Sequence, residues 1–142
     1  MTITIGCDHA GVDLKKQIIN IINENHDVFD IGTYTSESVD YPDIAHKAID
    51  RLLNNEADRV ILLCGSGNGI NMTANKHNGV RSALCWTEEI AVLARQHNDA
   101  NTLALPARYL NIQEAKDIVL AFLSVSFDGG RHLKRINKIN CA

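Results

Sequence analysis

Short apolar runs alternate along the chain with longer segments in which apolar residues recur every three or four positions. Residues 2–8 (TITIGCD) and 27–32 (DVFDIG) are short and β-rich. Residues 59–65 (RVILLCG) are apolar almost without a break, as parallel strands covered on both faces are. Residues 79–86 (GVRSALCW) and 102–106 (TLALP) complete a set of five strands. Between them lie helical patterns. Residues 11–25 carry Leu14, Ile18, Ile21 and Ile22 on one stripe, and residues 43–55 carry Ile44, Ala48, Leu52 and Leu53. Residues 34–42 (YTSESVDYP) form a polar loop ending at Pro42, and residues 70–76 a short helix. Residues 87–98 start at a capping threonine, Thr87, with Glu89 early in the first turn. Residues 111–125 start at Asn111 with Glu114 three positions on, the spacing of a capping box.

Strands alternating with helices predict an α/β fold: a Rossmann-like three-layer α/β/α sandwich around a five-stranded parallel sheet. No repeat, low-complexity tract or long linker divides residues 1–142, so one domain is expected. The last segment, residues 128–140, opens with two glycines after Asp128 and is basic. It predicts a C-terminal helix with Leu133, Ile136 and Ile139 at three-residue spacing. Lying beyond the last strand, that helix can pack on a partner subunit or over its own domain, and the pattern alone does not choose.

Composition narrows the class. The formal net charge is -3, so no overall basic field attracts nucleic acid or an anionic membrane. No apolar run approaches the roughly 20 residues that span a bilayer. The start, MTITIGCDHA, has no basic segment ahead of an apolar one, so no signal peptide is read and a cytoplasmic location is expected. The four cysteines, Cys7, Cys64, Cys85 and Cys141, form no C-x-x-C pair and no zinc-finger spacing. They are read as reduced thiols, and no metal site is expected.

The candidate chemistry centres on CGSGNG, residues 64–69. Gly65, Gly67 and Gly69 permit close backbone approach, and the helix that follows turns free N–H groups toward the loop. Such a loop suits an anion, or an oxyanion that develops during a reaction. Its G-x-G-x-G spacing is neither the dinucleotide fingerprint G-x-G-x-x-G nor a phosphate-binding G-x-x-x-x-G-K-[ST] loop, so NAD and ATP are not expected. Cys64 stands at its mouth. A thiol near a helix N-terminus is more easily ionised, and can then be a nucleophile or a base; a lone cysteine ending a strand can equally be a small buried apolar residue. Asp8 and His9 end the first strand, at the edge expected to carry Cys64. His97 and Asn98 end a helix. Arg131 and Arg135 share a helix face, and Arg108 follows the fifth strand; guanidinium forks match phosphate oxygens, although such a pair can also be a solvated face.

Six ordered stretches, GCDHAG, VDYPDIA, CGSGNG, ANKHNGVR, RQHNDANTLAL and GGRHLKRI, resemble the ribose-5-phosphate isomerase B family, also called the LacA/LacB family of sugar-phosphate isomerases. The resemblance runs from residue 3 to about residue 139. It implies interconversion of D-ribose 5-phosphate and D-ribulose 5-phosphate through an enediolate, in the non-oxidative branch of the pentose phosphate pathway, without metal or organic cofactor. It implies a homodimer, sometimes paired into a tetramer, with active sites at the subunit interface. By position, Cys64 is the base, and Gly65, Ser66, Gly67, Asn68 and Gly69 cradle the sugar oxygens. Asp8, His9 and Tyr41 contact substrate. His97 assists ring opening beside Asn98, and Arg108, Arg131 and Arg135 hold the phosphate. One subtype of the family uses a glutamate directly after the glycine loop; here that position is Ile70, so the chain resembles the thiol subtype.

The residues fit this chemistry on their own terms. Aldose–ketose isomerisation needs one base to move a proton between neighbouring carbons, donors for the enediolate oxygen, and a phosphate grip remote from the reacting carbons. Galactose-6-phosphate or allose-6-phosphate isomerase activity would use the same scaffold. A non-catalytic phosphosugar sensor would use the glycine loop but leave Cys64 and His97 without a task. A thiol oxidoreductase would need a resolving cysteine near Cys64, which the sequence lacks.

Overall fold

The structure, a computed structural model, describes residues 1–140; Cys141 therefore lies outside the described residues. Five strands form one parallel sheet in the order β2-β1-β3-β5-β4. They are β1 (Thr2–Cys7), β2 (Asp27–Asp30), β3 (Arg59–Cys64), β4 (Ser82–Leu84) and β5 (Thr102–Pro106). The helices are α1 (Val12–Ile22), α2 (Tyr41–Leu53), α3 (Asn68–Ala74), α4 (Glu88–Asn98), α5 (Ile112–Ser124) and α6 (Arg131–Ile136).

Strand parity divides the interior into two cores. Ile3, Ile5 and Cys7 of β1, Ile61 and Leu63 of β3, and Leu103 and Leu105 of β5 face α1, α4 and α5. Val60, Leu62 and Cys64 of β3 and Ala104 of β5 face α2 and α3. Because side chains alternate across a strand, Cys7 and Cys64 end adjacent strands yet point to opposite faces. Burial pushes the Cys7 thiol up to about 12, with Lys15 opposing; burial alone does the same to Cys85. Both sit in the larger core and act as small apolar residues.

Several element ends differ from the sequence pattern. α2 starts at Tyr41, two residues before the expected helix, because Pro42 occupies its first turn, where the missing N–H costs nothing. The helix expected from residue 11 begins at Val12, after a single 3₁₀ turn over His9–Gly11. β4 shrinks to three residues at the open edge of the sheet. The largest correction concerns the C-terminal helix: α6 is six residues long, not the span 128–140. Gly129 and Gly130 adopt positive φ and delay its start, and Leu133 within it and Ile139 beyond its end lie about half exposed, offering no buried stripe to extend it. It packs against α4. The expected caps are present: Thr87 accepts from the Ile90 amide, and Asn111 and Glu114 form a reciprocal capping box.

Candidate active site

The carboxyl ends of β1 and β3 adjoin, and the chain leaves them toward opposite faces, α1 on one side and α3 on the other. Such a switch point opens a crevice at the strand ends. Asp8 and Cys64 stand there. Asp8 is buried, its amide donates to Leu63 O at 3.0 Å, and its carboxylate accepts from the Ala10 amide at 2.9 Å. His9 follows, with Nδ1 accepting from the Val39 amide at 3.4 Å.

Cys64 ends β3, and its carbonyl accepts from the Ala107 amide at 2.9 Å. The carbonyl of Gly65 accepts from the Arg108 amide at 3.1 Å, so the segment after β5 backs the loop. Each glycine of the loop answers to a neighbour. A Cβ on Gly65 would lie 2.9 Å from the Arg108 guanidinium. Gly67 has φ of 74°, and a Cβ there would lie 3.1 Å from the backbone of Leu105 and Pro106. A Cβ on Gly69 would run into the Tyr41 ring. The loop thus carries Arg108 on one flank and Tyr41 on the other. Ser66 Oγ accepts from the Asn68 amide at 3.3 Å, which shapes the turn into α3. α3, seven residues long, is too short to persist alone and is anchored by Ile70. Ile70 is fully buried in the same core as Cys64, an anchorage of roughly 2–3 kcal/mol.

The structure does not bring every candidate to this edge. α4 runs back across the sheet from β4 to the start of β5, so His97 and Asn98 lie at the amino edge of the strands. Asn98 O accepts from Arg81, the residue before β4. Eleven helical residues span about 16 Å, which separates His97 from the Cys64 edge of its own chain. This end of α4 is firmly held. Asp99, in a left-handed conformation, takes Arg95 at 2.9 Å and Arg81 at 3.0 Å. Arg95, almost wholly buried, also donates to Ala100 O and Val125 O.

α6 joins the same amino edge. The Asp128 amide donates to Gln96 O at 3.0 Å, and the His132 ring stacks on His97 at 4.3 Å between centroids. Arg131 and Arg135 flank His132 and are exposed. Desolvation against its neighbours lowers the His132 pKa, and the charges of His97, Arg131 and Arg135 lower it further, with Asp128 opposing. Among the described residues His97, Asp128 and His132 could bring one ligand atom each within 4.8 Å, but the two guanidinium groups make this neighbourhood better suited to an anion than to a cation. The sequence pattern does not single out His132 as a candidate. Its position between Arg131 and Arg135 was the available signal, since residues so close on one short helix share an electrostatic neighbourhood. His46 and His77, likewise not singled out by the sequence, have ring nitrogens 2.8 Å apart where α2 meets α3.

Residues 3–139 match the family model described as Ribose/Galactose Isomerase. The chain belongs to the ribose/galactose isomerase family. The ribose-5-phosphate isomerase B of Escherichia coli K12 is 41% identical over 138 residues, covering 96% of this chain and 93% of that protein. The crystal structure of a ribose 5-phosphate isomerase from Thermotoga maritima superposes with a TM-score of 0.95 at 50% identity, covering 97% of this chain and 96% of that one. The ribose-5-phosphate isomerase B of Mycoplasma genitalium, solved with bound ribulose-5-phosphate, gives 0.91 at 43% identity, covering 97% and 93%. The family fold and the sheet seen here therefore agree over nearly the whole chain.

Proposed function

We propose that this chain interconverts D-ribose 5-phosphate and D-ribulose 5-phosphate, with Cys64 as the base. The observation that carries the reading is the thiol ending β3 at the mouth of a glycine loop, flanked by Tyr41 and Arg108, with only apolar Ile70 at the neighbouring buried position. The relative solved with ribulose-5-phosphate supports the sugar phosphate as ligand class.

In this scheme the Cys64 thiolate takes the proton from carbon 2 of the open-chain aldose. The electron pair moves into the carbon 1–carbon 2 bond and onto the carbonyl oxygen, which becomes the enediolate oxygen. Loop amides of Gly65–Gly69 supply donors to that oxygen, worth more in a dry crevice than in water. The oxygen on carbon 1 gains a proton, that on carbon 2 loses one, and Cys64 returns its proton to carbon 1. Asp8 and His9 bind hydroxyls, with Ser66 and Asn68 shaping the cradle. His97 opens the furanose ring as acid and base, and Arg108, Arg131 and Arg135 hold the phosphate.

The two sets of residues lie at opposite edges of one chain, so one site needs Cys64 from one copy and His97, Asn98, Arg131 and Arg135 from another. A homodimer satisfies this, and Trp86, Tyr109, Leu133 and Ile139 are exposed apolar side chains that such an association could bury. The expected location is the cytoplasm; no helix among the described residues is long and apolar enough to cross a membrane.

Proton exchange tests the reaction. In deuterated water the protein should incorporate deuterium at carbon 2 of ribose 5-phosphate, and Cys64→Ala should abolish this while remaining folded. Exchange that survives without Cys64 would remove the thiol from its role. A parallel panel with galactose 6-phosphate and allose 6-phosphate separates five-carbon from six-carbon specificity.

A further inference from the structure

Lys15 lies in the first turns of α1, fully enclosed at 1% exposure, and takes no part in the scheme above. Enclosing an ammonium group is costly, and apolar replacements of buried ion pairs are often no less stable, so stability alone does not account for it. Its surroundings do. Nζ pairs with Asp30 at the end of β2, donates to Thr33 O at 2.9 Å, and sits 4.7 Å above the Tyr34 ring. The Asp30 carboxylate also accepts from the Gly32 amide at 2.9 Å, and Tyr34 Oη donates to Asp30 O. Gly32 and Thr33 exchange backbone hydrogen bonds with Cys7. The ammonium group therefore knots the chain where it leaves β2, against Cys7, the residue before Asp8.

That knot is one anchor of residues 31–40. Among the described residues, 35–38 form no hydrogen bond with the rest of the chain. At the far end the Val39 amide donates to His9 Nδ1, and Asp40 leads into α2, whose first residue, Tyr41, lies over Gly69. An imidazole whose Nδ1 accepts a hydrogen bond carries its proton on Nε2. We propose that Lys15 is a positioning residue: by fixing residues 31–40 through Asp30 and Thr33, it holds His9 in the tautomer that offers Nε2–H as a donor to substrate. The role given to His9 rests on the isomerase reading; the tautomer does not.

The test uses Lys15→Met, with Lys15→Met/Asp30→Leu as the companion that removes the stranded carboxylate. Nitrogen-15 NMR of the histidine rings reads the His9 tautomer without turnover, with His9→Gln assigning the signal. In the native protein His9 should show an unprotonated Nδ1 and a protonated Nε2. Both variants should lose that pattern, and kcat/KM per folded molecule should fall on the order of 100-fold, as misplacement of about 1 Å does. The double variant should recover thermal stability without recovering either property. Retention of the native His9 pattern and native kcat/KM in a variant with only a lowered Tm would overturn the proposal. If the native protein fails to turn over ribose 5-phosphate, the isomerase reading falls, and the nitrogen spectra still decide the tautomer.

Discussion

Mixing two inactive variants offers a direct test of the divided site. His97 and Cys64 occupy opposite edges of the sheet, about the length of α4 apart, so a chain cannot serve its own thiol. Take Cys64→Ala, which removes the proposed base, and His97→Ala, which removes the proposed ring-opening group. Loss of one acid–base group costs about 100- to 10,000-fold, so each homodimer should be close to silent. In a mixed dimer one site receives both lesions and the other receives neither. Random reassortment after mild dissociation gives half mixed dimers, each with one intact site of two. The mixture should therefore recover about one quarter of native activity for a twofold isologous dimer. The assay is ribulose 5-phosphate formation, following each variant alone, the mixture before reassortment and the mixture after it. Recovery near one quarter places the residues on different subunits. No recovery, with mixed dimers verified by native mass spectrometry, refutes the argument, because residues acting within one chain cannot complement.

Other consequences concern single positions. Arg131→Ala and Arg135→Ala should each raise KM about 10- to 100-fold with a smaller change in kcat, since a charge-assisted hydrogen bond contributes roughly 1.5–3 kcal/mol; steady-state kinetics checks this, and an unchanged KM removes the residue from the phosphate site. Gly67→Ala should lower both stability and turnover, because φ of 74° costs a side chain about 1–2 kcal/mol and a Cβ would press on the Leu105–Pro106 backbone; denaturant unfolding measures the first effect. Cys7 and Cys85, held near 12, should resist iodoacetamide at pH 8 while inactivation tracks labelling of the Cys64 peptide, which mass spectrometry can follow. The same two thiols set an alkaline limit. Their folded pKa is raised, so their contribution is complete below the unfolded value near 8.5 and fades as pH rises toward 12, by about 1.4 kcal/mol per pH unit per thiol. Unfolding free energies measured between pH 8 and 10.5 should therefore fall; a flat profile refutes the assignment.

The sheet was legible because each buried strand declares itself. Residues 59–65 are apolar on both faces, and only a covered parallel strand tolerates that. The caps at Thr87 and Asn111 were legible for a similar reason, as both are local hydrogen-bond chemistry within four residues. α6 was misjudged because its length depends on the two positive-φ glycines before it and on packing against α4, neither of which a three-residue apolar spacing encodes. The residues at the mouth of the loop were recognisable by type. That Gly65 exists to admit Arg108, and Gly69 to admit Tyr41, was not, since those partners lie 43 and 28 positions away along the chain. The stacking of His132 on His97 was not legible, because it is a tertiary contact set by the packing of α6 on α4.

The separation of the two groups follows from the fold itself. In a parallel sheet every helix that follows a strand begins at the carboxyl edge and ends at the amino edge. Residues at strand ends and helix starts, such as Asp8, Tyr41 and Cys64, therefore gather at one edge without further design. A residue at the last turn of a helix is delivered to the other edge. His97 gains a fixed seat from that place, because Asp99, Arg81 and Arg95 hold the end of α4 rigid. Moving the acid–base histidine to the thiol edge would require a different element and a new fixation. In the proposed homodimer, association of two copies would bring the fixed histidine to the fixed thiol instead. On this argument the dimer is part of the catalytic constellation, and substitutions that weaken the contact should reduce activity with protein dilution before they change the fold of either chain.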